Sequence, residues 1–193
     1  REVRELKKGD VAKISPPTYV YAYLAIGGVL SAQYDFGSYS TYAKAGFGGI
    51  EGRNLKEGDL LVSEGKTTPH KEIEIKDRHE SGVAEIKIMK GPEWGTLKEL
   101  PRVKTVQIDP SSDRMGIRLT GATLECDYHE IASSAVIPGV IQLPADGHPI
   151  ILMNDCQTTG GYPRIGKVRE EELGKLAQLR PGQSIQLILD ATY

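Results

Sequence analysis

"VIPGVIQLPADGHPIILMNDCQTTGGYPRIGKV", residues 136–168, holds two apolar runs, 136–143 and 150–153, rich in Val and Ile and shorter than an ordinary helix. Breaks containing Gly and Pro bound them, so the stretch reads as strands joined by turns. The second run stops at Asn154-Asp155. Gln157, Thr158, Thr159, Gly160, Gly161, Tyr162, Pro163 and Arg164 then bring amides, hydroxyls, glycines, an aromatic ring and a cation together in successive positions. A tight turn needs the glycines and the proline, but not the other side chains.

The same short, Val-, Ile- and Tyr-rich runs recur at 11–14, 18–26, 72–75, 83–89, 103–108 and 185–189. Many short strands between turn signals predict a mainly β protein, a barrel or a sandwich. One segment has helical period, residues 169–179. Leu173, Leu176 and Ala177 share a face there, Glu170, Glu171 and Glu172 fill the first turn, and Pro181-Gly182 end it. Three turns repeat a pattern, "LKKGD" at 6–10, "LKEGD" at 55–59 and "LRPGQ" at 179–183, each expected to precede a strand. Their glycines are expected at positive φ.

The chain has 193 residues, is 39% hydrophobic and 26% charged, and carries a net charge of −2. Those values suit a globular protein with a core and give no electrostatic footprint for nucleic acid or an anionic membrane. The longest apolar run, 19–30, is too short to span a bilayer. Cys126 and Cys156 are too few for a disulfide framework, though one bridge is compatible with them. Two free thiols in a reducing, cytoplasmic setting is the simpler expectation. Cys126 and His129 have a C-x-x-H spacing, but His70, His79 and His148 supply no second paired cluster, so a metal site is not expected.

Residues 63–82 are dense in charge, and Ile73 and Ile75 offer at most a short edge strand. The expected division is therefore 1–66, a linker at 67–83, and a small domain at 84–193. The opening "REVRELKKGDVAKI" lacks a Met and reads like the middle of a domain, which predicts further sequence upstream.

Candidate chemistry concentrates at 155–164. Gly160 and Gly161 can turn backbone N–H groups toward a ligand oxygen. Asp155 can act as a base or orient a donor, and Tyr162 and Arg164 can hold a carbonyl or carboxylate. "SSDRMGIRLTG" at 111–121 puts Arg114 and Arg118 on one face if the segment is a strand, where together they could hold an anion, or simply be solvated. The glycines of 46–52 lack phosphate-loop spacing and read first as a loop with positive φ. Local composition leaves 155–164 evenly balanced between turn and site.

The order of several segments resembles one family, that of the 5-oxoprolinase C subunit, also known as KipA or allophanate hydrolase subunit 2. This family is similar to the carboxyltransferase domain of urea carboxylase. The segments are "YLAIGGVLSAQYDFGSYSTYAKAGFGGIEGRNLKEGDLL" at 23–61, "SDRMGIRLTG" at 112–121, the 136–168 stretch and the closing "LRPGQ". The resemblance implies cyclophilin-like β-barrel domains, two in the family, with the first incomplete here. It further implies two partner proteins, one KipI-like and one LamB/YcsF-like. With these the family cleaves 5-oxoproline to glutamate using ATP, with magnesium expected beside it. On that view Gly160, Gly161, Thr158 and Thr159 supply donors, and Arg114, Arg118 or Arg164 holds the substrate carboxylate. Asp155 and Tyr162 manage protons, while Gln142 and Gln157 orient polar groups. Two alternatives stand beside it, a carboxyltransferase using biotin carried by another chain and a regulatory protein that binds a KipI-like kinase inhibitor. Cys156 departs from the family, where many relatives carry Arg.

Overall fold

The structure is a computed structural model that describes residues 5–14, 20–65, 83–99, 103–127 and 130–190. Its strands in chain order are β1 (Val29–Leu30), β2 (Ser63–Glu64), β3 (Ala84–Lys90), β4 (Val103–Ile108), β5 (Gly116–Thr120), β6 (Ser134–Ala135), β7 (Val140–Gln142), β8 (Ile150–Leu152), β9 (Thr159–Gly160), β10 (Arg164–Val168) and β11 (Ser184–Leu189). A helix, α1 (Glu170–Ala177), lies between the last two. The chain divides into two compact units, residues 1–12 with 23–75 and residues 13–22 with 76–193.

Within the first unit β1 and β2 pair antiparallel, and isolated bridges join Gln33 to Gly49 and Tyr42 to Phe47. Among the described residues its buried positions are Gly48, Gly49 and Gly52, while Tyr23, Phe36 and Leu60 are more than four-fifths exposed. A Cβ on Gly52 would lie 2.1 Å from the Gly46 carbonyl carbon, and Gly48 donates its N–H to Asp35 Oδ2 at 3.0 Å. Gly46, Gly48, Gly49 and Gly52 are thus loop positions at positive φ, the last three of them packed. Residues 11–14 and 20–26, expected as strands, form none; β-propensity is realised only against a pairing partner. The expected edge strand at 72–75 and almost all of the expected linker lie outside the described residues.

The second unit is a closed barrel of seven strands in the order β10-β3-β11-β4-β5-β8-β7. Closure removes sheet edges, and strand alternation sends every second side chain inward. Ile86, Ile88, Val106, Ile108, Ile117, Leu119, Ile141, Ile151, Ile185 and Leu187 are all buried and belong to one core. Burying a side chain of this size stabilises by about 1.5–3 kcal/mol, so these rows hold the barrel closed. Leu176 of α1 is fully buried, with Leu173 and Ala177 packed against the same core, as the helical period predicts. Gln178, just past α1, accepts from the Tyr21 N–H at 2.9 Å and donates to the Tyr21 carbonyl at 3.1 Å, which ties Tyr21 to this unit.

The three repeated turns have one geometry. Gly9, Gly58 and Gly182 all have positive φ, and the N–H after each closes the turn on the carbonyl of Lys7, Lys56 or Arg180. The side chain of Asp10, Asp59 or Gln183 then reaches back to the N–H of that same residue. Only the third leads directly into a strand, β11.

Candidate functional site

Inward-facing Ile117, Ile151 and Ile141 define the opposite, outer face of the same strands. On it the register aligns Arg118 of β5 with Ile150 of β8, Ile150 with Gln142 of β7, and Gln142 with Arg164 of β10. Three inter-strand steps of about 4.8 Å make this row about 14 Å long. Residues separated widely in sequence, Arg118, Gln142 and Arg164, thus come onto one outer face.

A two-stranded flap covers the middle of the row. β6 pairs with β9, Ser134 opposite Gly160 and Ala135 opposite Thr159, and the Val136 N–H donates to the Thr158 carbonyl at 3.0 Å. Antiparallel pairs alternate, so the 134/160 pair is hydrogen-bonded like 136/158, and Gly160 carries its N–H in the ladder. Gly161 lies beyond β9 and accepts from the Ile131 N–H at 2.7 Å. Val136, Val140 and Leu152, with Ile150 and Cys156 beside them, glue the flap to the barrel.

Gln142 lies beneath that flap, 2% exposed. Its Oε1 accepts from Gln157 Nε2 at 3.2 Å. Its Nε2 is buried with no partner among the described residues, as is Ser134 Oγ. A Cβ at position 160 would stand 2.5 Å from that Nε2, so an alanine there must displace the Gln142 amide or the flap above it. Because Gln142 is closed in, Gly160→Ala should loosen the flap and destabilise the protein by about 1–2 kcal/mol. Amide hydrogen exchange at 134–136 should rise with it; unchanged protection there would refute the contact.

The three arginines are each committed to a carboxylate. Arg114 precedes β5 and forks onto Asp155, Nε to Oδ2 at 2.8 Å and Nη2 to Oδ1 at 3.1 Å. Arg118 Nη1 meets Asp146 Oδ2 at 2.8 Å. Asp146 is held below the ordinary carboxylate range first by the His148 N–H, with Arg118 adding to it. Arg164 donates to Glu93 through its backbone N–H at 2.8 Å, Nε at 3.0 Å and Nη2 at 2.9 Å. Hydrogen bonding from Arg164 holds Glu93 low despite its partial burial. Arg114 and Arg118 therefore do not form the joint anion grip that a shared strand face suggested. Asp155, likewise, is the partner of a cation.

Thr158, Thr159 and Tyr162 are exposed on the loop. Cys126 and Cys156 are not joined in a disulfide, and burial pushes the Cys156 thiol up, away from the thiolate a nucleophile needs. Among the described residues no group of three His, Cys, Asp or Glu side chains could hold a metal ion. No helix among them is long and apolar enough to cross a membrane. Glu93, Asp146 and Ser134 were missed by sequence reasoning. Glu93 sits 71 positions from Arg164, and nothing local in "GPEW" marks it as a partner.

The 5-oxoprolinase C subunit of Escherichia coli (strain K12) is 36% identical to this chain over 190 residues, 95% of the chain and 61% of that protein. The chain therefore spans about three-fifths of that relative's length. The urea amidolyase of Saccharomyces cerevisiae is 28% identical over 212 residues, which covers 95% of this chain and 11% of that much larger protein. Among solved structures, Kluyveromyces lactis urea carboxylase superposes with a TM-score of 0.72 at 24% identity, over 84% of this chain and 17% of that one, a likeness of fold. The family model described as "Carboxyltransferase domain, subdomain A and B" matches residues 1–189, and the chain belongs to that family.

Proposed function

We propose that this chain is the C subunit of a 5-oxoprolinase, acting with a KipI-like protein and a LamB/YcsF-like protein to convert 5-oxoproline to glutamate at the expense of ATP. Kinship to the 5-oxoprolinase C subunits of two bacteria supports the reading. The observation that carries it is the Gln142 amide, buried beneath Gly160 with its Nε2 unpaired among the described residues. A buried donor without an acceptor costs about 1–3 kcal/mol, and a substrate oxygen can satisfy it.

Lactam opening adds water to the carbonyl carbon, breaks the C–N bond and places developing negative charge on the carbonyl oxygen. On this reading Gln142 Nε2, the Gly161 N–H and the Thr158 or Thr159 hydroxyl receive that oxygen when the flap lifts. Gln157 fixes the Gln142 amide in the orientation that presents Nε2, because its own N–H already occupies Oε1. Tyr162 stands at the loop edge to pass a proton, and Asp155, held by Arg114, sets the loop's start. The loop does not fit a magnesium-bound triphosphate. Arg114, Arg118 and Arg164 are each neutralised by a carboxylate, and among the described residues no acidic cluster suits the ion. ATP handling falls to the two partner proteins.

The complex reconstituted from the three proteins should consume 5-oxoproline with ATP. Gln142→Ala should lower kcat/KM by about 10²-fold, the range for one oxyanion donor. Turnover undiminished in Gln142→Ala would remove that side chain from the reaction. A second reading, carboxyl transfer from biotin on another chain to urea or a similar amide, is favoured by the family description and by the urea amidolyase relatives. Carboxylation of urea by the purified chain supplied with carboxybiotin, with no loss of 5-oxoproline in the complex, would replace the first reading by the second.

A further inference from the structure

A groove of about 580 Å³ runs along the seam of β3 and β10 and is walled on its other side by the segment after β6. Its volume lies in the range of small-molecule sites. Lys90, Lys167 and Arg164 are its charged lining residues, and it has no carboxylate. Arg164 is already satisfied by Glu93. The side chains of Lys90 and Lys167 form no ion pair or hydrogen bond with the described residues, so the groove carries two uncompensated positive charges.

The register explains its shape. Lys167 stands between Val140 of β7 and Met89 of β3, while Lys90 lies opposite Gly166, which has no side chain. Ile137 lines the same groove while about half exposed, beside the two lysines. A solvated pair of lysines needs no such apolar wall. Ala135, also in the lining, is paired with Thr159 of the flap, so the groove opens beside the candidate site.

We infer that this groove binds a small organic anion, a carboxylate or a phosphoryl group carried on an apolar body. Lys90 and Lys167 hold the charge, and Met89, Ile137 and Val140 receive the apolar part. Ammonium groups beside low-dielectric walls attract an anion more strongly than they do in open water. The inference stands on the groove's own chemistry and does not depend on the lactam-opening reading of the flap.

Amide chemical shifts of the 193-residue chain during titration test it, with glutarate, inorganic phosphate, 5-oxoproline and neutral 2-pyrrolidinone as probes. Glutarate or phosphate should shift the amides of 89–91, 135–137 and 166–167, and 2-pyrrolidinone should not. Lys90→Gln and Lys167→Gln should each weaken the anion about tenfold, and raising salt should weaken it further. Phosphate without glutarate names a phosphoryl ligand, the converse a carboxylate, and either supports the site. Glutarate binding here without 5-oxoproline supports the groove, and the lactam-opening reading, which concerns the flap, is judged separately by turnover in the complex. Shifts confined elsewhere, affinity unchanged in the double variant, or binding only of an acidic decapeptide would overturn it.

Discussion

Gly91→Ala is expected to cost about 3 kcal/mol and to lower Tm by about 6–12 °C. A Cβ there would lie 2.1 Å from the Arg164 carbonyl oxygen and 2.7 Å from the Gly166 nitrogen. Both are backbone atoms, so no side-chain rotation relieves the overlap. The contact is fixed by hydrogen bonds on either side, Gly91 N–H to the Ile165 carbonyl at 3.1 Å and Glu93 N–H to the Arg164 carbonyl at 3.3 Å. The β3–β10 seam must part, and Glu93 then leaves Arg164. Gly95→Ala is the control, because a Cβ at that position meets nothing within 4 Å. Thermal melts of both variants decide the matter; a Gly91→Ala protein that melts with wild type would show that the seam is not closed as described.

The second large effect lies at the end of the same turn. Glu93→Gln should destabilise by about 2 kcal/mol at pH 7, less than for a fully buried pair because water reaches part of the fork. Arg164 holds the Glu93 carboxyl below its ordinary range, so the unfolded chain takes up that proton before the folded one does. Its contribution is complete above the unfolded glutamate value near pH 4.3 and is lost as pH falls through the lower folded value. Urea unfolding at a series of pH values should therefore show the wild-type advantage at neutrality narrowing in acid. A gap that stays constant to low pH would mean that the ion pair is not its source. Arg164→Lys should recover only part of the stability, since an ammonium cannot make the two-point contact of the fork.

Legibility from sequence followed the range of the physics. The helix was readable because Leu173, Leu176 and Ala177 carry its period within one segment. The three glycine turns were readable because donor and acceptor lie three positions apart. β4 and β11 stood out as Val- and Ile-rich runs. β5 and β10 did not, for Arg118, Arg164 and Lys167 interrupt them, and only the closed barrel supplies the neighbours that make "GIRLT" and "RIGKV" strands. The 155–164 loop was visible as unusual chemistry, but its geometry rests on pairings no local pattern encodes. Gln142 is buried because Gly160 folds over it, and the arginines are occupied because Glu93 and Asp146 arrive from distant turns.

β11 pairs with β3 in parallel and with β4 antiparallel. The last strand of the barrel is thus inserted between its first two strands. While the chain is being synthesised, β3 and β4 emerge with their shared slot empty, two apolar edges waiting for residues 184–189. The barrel cannot close until that final strand has left the ribosome. For this unit vectorial synthesis offers no head start, and its exposure to aggregation lasts until residues 184–189 have emerged.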